Sequence, residues 1–194
     1  MQIILASSSP RRSRLLTQIR IPHKIIPSSI KEKVDERLYP HEIVKNIASN
    51  KARVVAKNNQ GIIIGADTIV YLNKILGKPN NKKHAIEMLR ELSGKTHEVY
   101  TGLAIINNRN GYREVSGFEK TLIKMRKISD YEIKQYLKVS DPYDAAGSYK
   151  IQGIASLFIE KIEGCYFNVM GFPIFILYQL LNELEINIWD IIKK

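Results

Sequence analysis

Four short stretches of this chain carry polar residues for which a plain hydrophobic core has no use. Ser7-Ser8-Ser9-Pro10-Arg11-Arg12 follows an apolar run and leads into Leu15, Leu16 and Ile19, which fall at helical spacing. Pro10 suits a first helical position, where its missing amide costs nothing, and Ser9 suits the cap before it. Arg11 and Arg12 then stand beside free backbone amides at the positive end of a helix. Cations in a first turn oppose the helix dipole, so the choice makes sense where a phosphate chain is to be held. Two solvated arginines are the alternative reading.

Gly65-Ala66-Asp67-Thr68 follows three isoleucines. An aspartate that interrupts an otherwise buried sheet has to be compensated by a cation, a metal or hydrogen bonds. There it can hold Mg²⁺ or take a proton from water; a turn aspartate bonding its own backbone reads the same way. Leu76-Gly77-Lys78-Pro79 fixes Lys78 ahead of a proline, and Lys51 lies in Asn50-Lys51-Ala52-Arg53. A lysine is a compact positive charge suited to phosphate oxygens, and each of these two also reads as an ordinary solvated charge. The stretch 141–153 opens on Asp-Pro and ends on Gln152-Gly153. Its planar amide could bond a base edge, or decorate an ordinary connection. Gly94-Lys95-Thr96 is not a P-loop: Leu89 stands where that motif needs glycine, and the helix precedes the loop instead of following it.

The composition bounds the function without choosing it. Cys165 is the single cysteine, so no intrachain disulfide forms, and His23, His41, His84 and His97 are scattered with no pair at metal-ligand spacing. Thirty Lys and Arg against 19 Asp and Glu leave a net charge of +11. A nucleic-acid surface, a site for a small polyanion or a lysine-rich composition would each produce it. Runs such as Asn80-Asn81-Lys82-Lys83 favour the last cause for much of the excess. The apolar run 172–181 contains Pro173, Tyr178 and Gln179 and is too short to span a bilayer, so no membrane partner is expected. The N-terminal charges follow the apolar run, the reverse of a signal peptide, and the expected location is the cytoplasm.

The elements that must position these residues alternate between helical and extended patterns, which predicts one α/β domain over 1–194. Strands are expected at 2–6, 24–27, 61–65, 68–72, 97–106, 112–126 and 155–162, with turns at Asn73-Lys74 and 107–111. Helices are expected from Pro10, over 40–57, over 81–93 with Gly94 as the stop, from the capping box of Ser129 and Glu132 to Val139, and over 173–184. A central sheet covered by helices follows.

In order along the chain, LASSSPRR, NKAR, IIGADTIV, LGKP, MLRELSGKTHEVYTG, the Asp-Pro…Ala-Gly…IQG stretch and VMGFP resemble the motifs of the Maf family, the septum-formation-inhibitor-like nucleotide pyrophosphatases. The resemblance covers nearly the whole chain. It implies an elongated mixed central sheet flanked by helices, two lobes and a cleft, as in inosine-triphosphate pyrophosphatases. It also implies a homodimer that hydrolyses a nucleoside triphosphate between the α and β phosphates, aided by a divalent cation, Mg²⁺ or Mn²⁺. The family's general base or metal holder falls on Asp67, and its loop acidic residue on Glu32, beside Lys31 where relatives often have a second glutamate. Ser7, Arg11 and Arg12 would bind phosphate with Ser9 capping the helix, and Lys51 and Lys78 are the phosphate lysines.

GADT with IQG is similar to the branch acting on dTTP and UTP, whose selectivity positions would be Arg11, Thr68 and Gln152. The branch acting on 7-methyl-GTP typically has an acidic residue where Gln152 stands. The dTTP/UTP branch commonly reads DKAGAYGIQG, whereas this chain has Ala145 in place of that lysine and Lys150 in place of the second glycine. A non-catalytic nucleotide- or nucleic-acid-binding protein regulating cell division is the competing class. A nucleic-acid surface usually interleaves aromatics with its cations, and here acidic partners accompany them instead.

Overall fold

The computed structural model describes residues 2–30, 34, 35 and 37–192. Its strands are β1 (Ile3–Leu5), β2 (Lys24–Ile25), β3 (Ile62–Tyr71), β4 (Ile75–Leu76), β5 (Thr96–Asn107), β6 (Arg113–Met125) and β7 (Ile159–Glu163). The helices are α1 (Pro10–Gln18), α2 (Pro40–Ala56), α3 (Lys82–Leu92), α4 (Asp130–Val139), the short α5 (Tyr166–Val169) and α6 (Ile174–Glu183). The strands form one mixed sheet in the order β2-β1-β3-β5-β6-β7, with β4 paired to β3. β1 runs parallel to both β2 and β3, placing Ile4 opposite Lys24 and Ile63. β4 returns antiparallel along the end of β3, Val70 opposite Leu76. The expected mixed sheet with helices is thus the observed one.

The chain divides into two compact units. The first comprises Met1–Asp67, Thr101–Glu119 and Gly171–Lys194, the second Thr68–Tyr100 and Lys120–Met170. In the first, Ala48, Ala52 and Val55 of α2 pack with Ile4, Ile63, Ala104 and Ile106 of the sheet and with Ala6 just after β1. In the second, Leu89 and Leu92 of α3, Ile133 and Tyr136 of α4, and Val99, Ile123 and Met125 of the sheet share a core with Tyr149, Ile151 and Phe158.

The helix ends follow local chemistry. Pro40 opens α2, and the Glu42 carboxylate accepts from the Tyr39 amide at 2.9 Å. Asn81 caps α3 by accepting from the His84 amide at 2.9 Å, and Gly94, at φ 72°, follows its end. The Ser129–Glu132 capping box of α4 forms as expected, and Arg126 reaches the same glutamate at 2.7 Å. Bonds from Arg126 and from Ser129 hold the Glu132 carboxyl down to about 2.

Three expectations change. Ser9 precedes α1 but makes no side-chain cap bond; instead its own amide donates to Ser7 Oγ at 3.2 Å. The stretch 155–162 opens as a 3₁₀ turn over Ile154–Phe158 and becomes extended only as β7. The third change matters most for the site. The strands expected at 61–65 and 68–72 merge into the single β3, Ile62–Tyr71, so Gly65 and Asp67 lie within it rather than at its end or in a turn.

Candidate active site

Gly65 explains why β3 runs through. A Cβ built on it would meet the Ala48 carbonyl oxygen at 2.1 Å and the Ala52 amide nitrogen at 2.9 Å. Both atoms belong to the backbone of α2, so the glycine is an allowance for close helix-on-strand packing, not a chain break. Side chains two residues apart in a strand share a face. Ile63, Gly65 and Asp67 therefore all look toward α2.

From α2, Ala48, Lys51, Ala52 and Val55 fall at i, i+3, i+4 and i+7, the spacing of one helix face. Three of them are apolar and packed; the fourth is a lysine on the core-facing side. Lys51 Nζ donates to Asp67 Oδ1 at 2.6 Å, with side-chain exposures of 9% and 8%. Burying either charge alone would cost several kcal/mol, and each is the other's compensation. The turn-aspartate reading of Asp67 fails, since it sits in the middle of a ten-residue strand. Lys51 is not a solvated charge either.

A second polar group in the same unit gathers before α1. Ser7 is buried, and its Oγ accepts from the Ser9 amide and from Arg12 Nη1 at 3.0 Å. Arg12 Nε donates to the Gly171 carbonyl at 2.9 Å, across 159 residues of sequence. Gly171 has φ 94°, a left-handed conformation that favours glycine. The glycine of VMGFP thus helps fix the guanidinium, a role no local pattern could show. Arg11 is half-buried in the first turn of α1 beside it. The structure ties Ser7 to Arg12 and Lys51 to Asp67; Glu32 lies outside the described residues.

In the second unit, Thr68 is half-buried directly after Asp67 on β3. Lys78 follows β4 and its Nζ meets Asp144 Oδ1 at 3.2 Å, with side-chain exposures of 64% and 42%. The loop carrying Asp144 is also held by its backbone: the Gly147 amide donates to the Gly77 carbonyl at 3.1 Å. Gly147 has φ 67°, and Val70 and Leu92 lie close to where its Cβ would stand. Farther along, Ile151 is buried and the Gly153 amide closes a turn onto the Lys150 carbonyl at 3.0 Å. The turn leaves Gln152 exposed and Lys150 half-buried. A cavity of about 360 Å³ borders Lys78, with Lys74, His84, Glu87 and Glu91 among its lining. Its mixed charges, two of them carboxylates, make it a poor receptacle for a polyanion.

A model of the Maf-like protein family matches residues 2–184. The chain belongs to the Maf family. A dTTP/UTP pyrophosphatase of Alkaliphilus oremlandii is 48% identical over 190 residues, covering 96% of this chain and 98% of its own. One of the same description from Bacillus cereus strain G9842 is 45% identical, with coverages of 96% and 97%. Among solved structures, a HAM1 protein from Coxiella burnetii resembles this Maf-family chain at 17% identity and a TM-score of 0.47, over 64% of this chain and 73% of its own.

Among the described residues, no three His, Cys, Asp or Glu side chains gather as a metal cage. Mg²⁺ needs no such cage, since it commonly takes one or two carboxylates and completes its shell with water and substrate phosphates. Asp67 supplies one carboxylate of that kind, with Lys51 beside it. Also among the described residues, no helix is long and apolar enough to cross a membrane.

Proposed function

We propose that this protein is a pyrophosphatase for nucleoside triphosphates, with dTTP and UTP as substrates and the monophosphate and pyrophosphate as products. The observation that carries the reading is the buried Lys51–Asp67 pair at 2.6 Å, a carboxylate kept in the middle of a strand where stability alone would favour an apolar residue. Family membership and relatives described as dTTP/UTP pyrophosphatases support the choice of reaction and substrate.

In this reading water attacks the α phosphorus, the bond to the bridging oxygen breaks, and pyrophosphate leaves. Asp67 orients the water and takes its proton. Lys51, fixed on Asp67, adds positive charge beside it. Ser7, Arg11, Arg12, Lys51 and Lys78 bind phosphate oxygens and offset the charge growing on them. Ser7 and Gly171 already hold the Arg12 guanidinium in place. Arg11, Thr68 and Gln152 select the base, Gln152 by the amide that its turn presents to solvent. Asp67, with Glu32, would hold the divalent ion, Mg²⁺ or Mn²⁺; when bound, such an ion neutralises phosphate charge and steadies the leaving group.

A panel of nucleoside triphosphates with Mg²⁺, resolved for monophosphate, pyrophosphate and phosphate, tests the reaction. UMP or dTMP appearing with pyrophosphate is expected, and release of inorganic phosphate as first product would sink the reading. Asp67→Asn should lower kcat by about 10³-fold or more, in line with the loss of a group acting on the reacting atoms. It should also weaken Mn²⁺ binding followed by electron paramagnetic resonance. Turnover within ten-fold of the parent would remove Asp67 from the chemistry.

A further inference from the structure

The contact between Lys78 and Asp144 has a composition that the catalytic reading leaves unexplained. A lysine meant for phosphate is already holding an anion: Asp144 Oδ1 lies 3.2 Å from its Nζ. Both side chains are substantially exposed, and an ion pair of that kind contributes only about 0.2–1 kcal/mol. It is therefore easily exchanged for a stronger anion. The loops are not joined by this pair alone, because the Gly147 amide bonds the Gly77 carbonyl at 3.1 Å. The rest of the loop is anchored independently: Ser148 Oγ meets Met88 Sδ at 3.1 Å, Tyr149 OH meets His97 Nε2 at 2.7 Å, and Tyr136 OH donates to the Ser148 carbonyl at 3.3 Å. The ammonium can leave Asp144 without the loops parting.

We propose that Asp144 is a resident counter-ion of Lys78, displaced by a substrate phosphate and restored when pyrophosphate departs. This rests on the assignment of Lys78 to phosphate. Asp144 is a positioning residue here, acting on substrate only through Lys78. Between turnovers it holds the long lysine side chain near Gly77 rather than leaving it to sample solvent. On binding it is a competitor, since the phosphate must draw Lys78 away from its carboxylate. On release it competes again, now against retention of the product. A single ion pair thereby exchanges some affinity for easier product departure.

The test measures KM and kcat for dTTP, and the dissociation constant of inorganic pyrophosphate by calorimetry. It uses the full chain and four variants: Asp144→Asn, Asp144→Glu, Lys78→Met and the double variant Asp144→Asn/Lys78→Met. Asp144→Asn should lower both KM and the pyrophosphate dissociation constant by about two- to five-fold, the range an exposed pair commands. It should not raise kcat. Asp144→Glu should return both constants toward the parent. Lys78→Met should weaken pyrophosphate binding by about ten-fold or more, and adding Asp144→Asn to it should change nothing further. Unchanged or weaker pyrophosphate binding in Asp144→Asn, with Lys78→Met weakened as expected, overturns the counter-ion role and leaves the assignment of Lys78 intact. Normal pyrophosphate binding in Lys78→Met overturns that assignment, and the counter-ion role falls with it. Equal tightening by Asp144→Asn with and without Lys78 would mean that Asp144 acts on the anion directly, and also rejects the proposal.

Discussion

Lys51 meets Asp67 at 2.6 Å with both side chains under a tenth exposed, whereas Lys78 meets Asp144 at 3.2 Å with 64% and 42% exposure. The residue types are the same and the surroundings opposite. In the first unit the helix α2 and the strand β3 press together so closely that only glycine fits at position 65, and little water is left to screen the pair. In the second, no atom of the described residues lies within 4 Å of where a Cβ of Gly77, beside Lys78, would stand. A low dielectric makes the first pair hard to break and its geometry fixed; water makes the second weak and exchangeable. One arrangement suits a carboxylate that must not move, the other a cation that must change partners.

The comparison is broken most directly at Lys51. Lys51→Met keeps the stem but removes the ammonium that compensates a buried carboxylate, and should cost about 3–5 kcal/mol in urea unfolding. Combining it with Asp67→Leu should recover most of that loss, because a buried pair replaced by apolar side chains is often neutral. A loss below about 1 kcal/mol for Lys51→Met would place this pair in the same regime as Lys78–Asp144.

The second unit also buries a polar pair, and it uses neutrality where the first uses charge. His97 is 1% exposed, its Nε2 meets Tyr149 OH at 2.7 Å, and among the described residues its Nδ1 has no hydrogen-bond partner. Burial pushes the imidazole from 6.5 down to about 4, and pushes the Tyr149 phenol up. Between those pH values the unfolded chain binds a proton that the folded chain refuses, so this contribution is whole above pH 6.5 and falls as the pH drops toward 4. The full difference amounts to about 3 kcal/mol. Unfolding free energies measured from pH 7 to 4.5 should show the decline, and His97→Gln should flatten it. An equally steep decline in that variant would assign the acid sensitivity elsewhere.

A smaller effect separates the two glycines. Gly65→Ala forces a methyl against the α2 backbone and should cost about 1–3 kcal/mol, with activity falling as Asp67 shifts from Lys51. Gly77→Ala meets no atom of the described residues and should leave the unfolding free energy within about 0.5 kcal/mol of the parent. Equal costs would mean that the tightness around Lys51–Asp67 is not what distinguishes it.

Much of the molecule is legible in its amino-acid sequence, and the contrast between the two pairs only in part. The sheet-forming runs, the capping box at Ser129 and Glu132, the stop at Gly94 and the order of the motifs are local signals, and local physics produces them as expected. Gly65 misleads because glycine in a β-branched run has two meanings, a break or a close approach, and only the position of α2 decides between them. The pairing of Lys51 with Asp67 does leave a trace: a lysine at the second position of an otherwise apolar i, i+3, i+4, i+7 face is poorly placed to be surface decoration. Identifying its partner needs the fold, since the register that sets Lys51 on its helix against Asp67, 16 residues on in the strand, is not written in either. The bond from Arg12 to the Gly171 carbonyl spans 159 residues and depends on tertiary packing alone.

Lys78→Met should change stability little, and it is the sharpest test of the contrast. Both side chains of this pair are substantially exposed, so removing the ammonium should cost less than about 1 kcal/mol. The Gly147–Gly77 backbone bond remains to hold the loops together. Urea unfolding should therefore barely register the substitution, while calorimetry shows pyrophosphate binding weakened. Lys51→Met should do the reverse in proportion, with most of its damage in stability. If instead Lys78→Met destabilised the protein as strongly as Lys51→Met, the exposed pair would be a structural tie, and exposure would no longer explain why one lysine is fixed and the other exchanges.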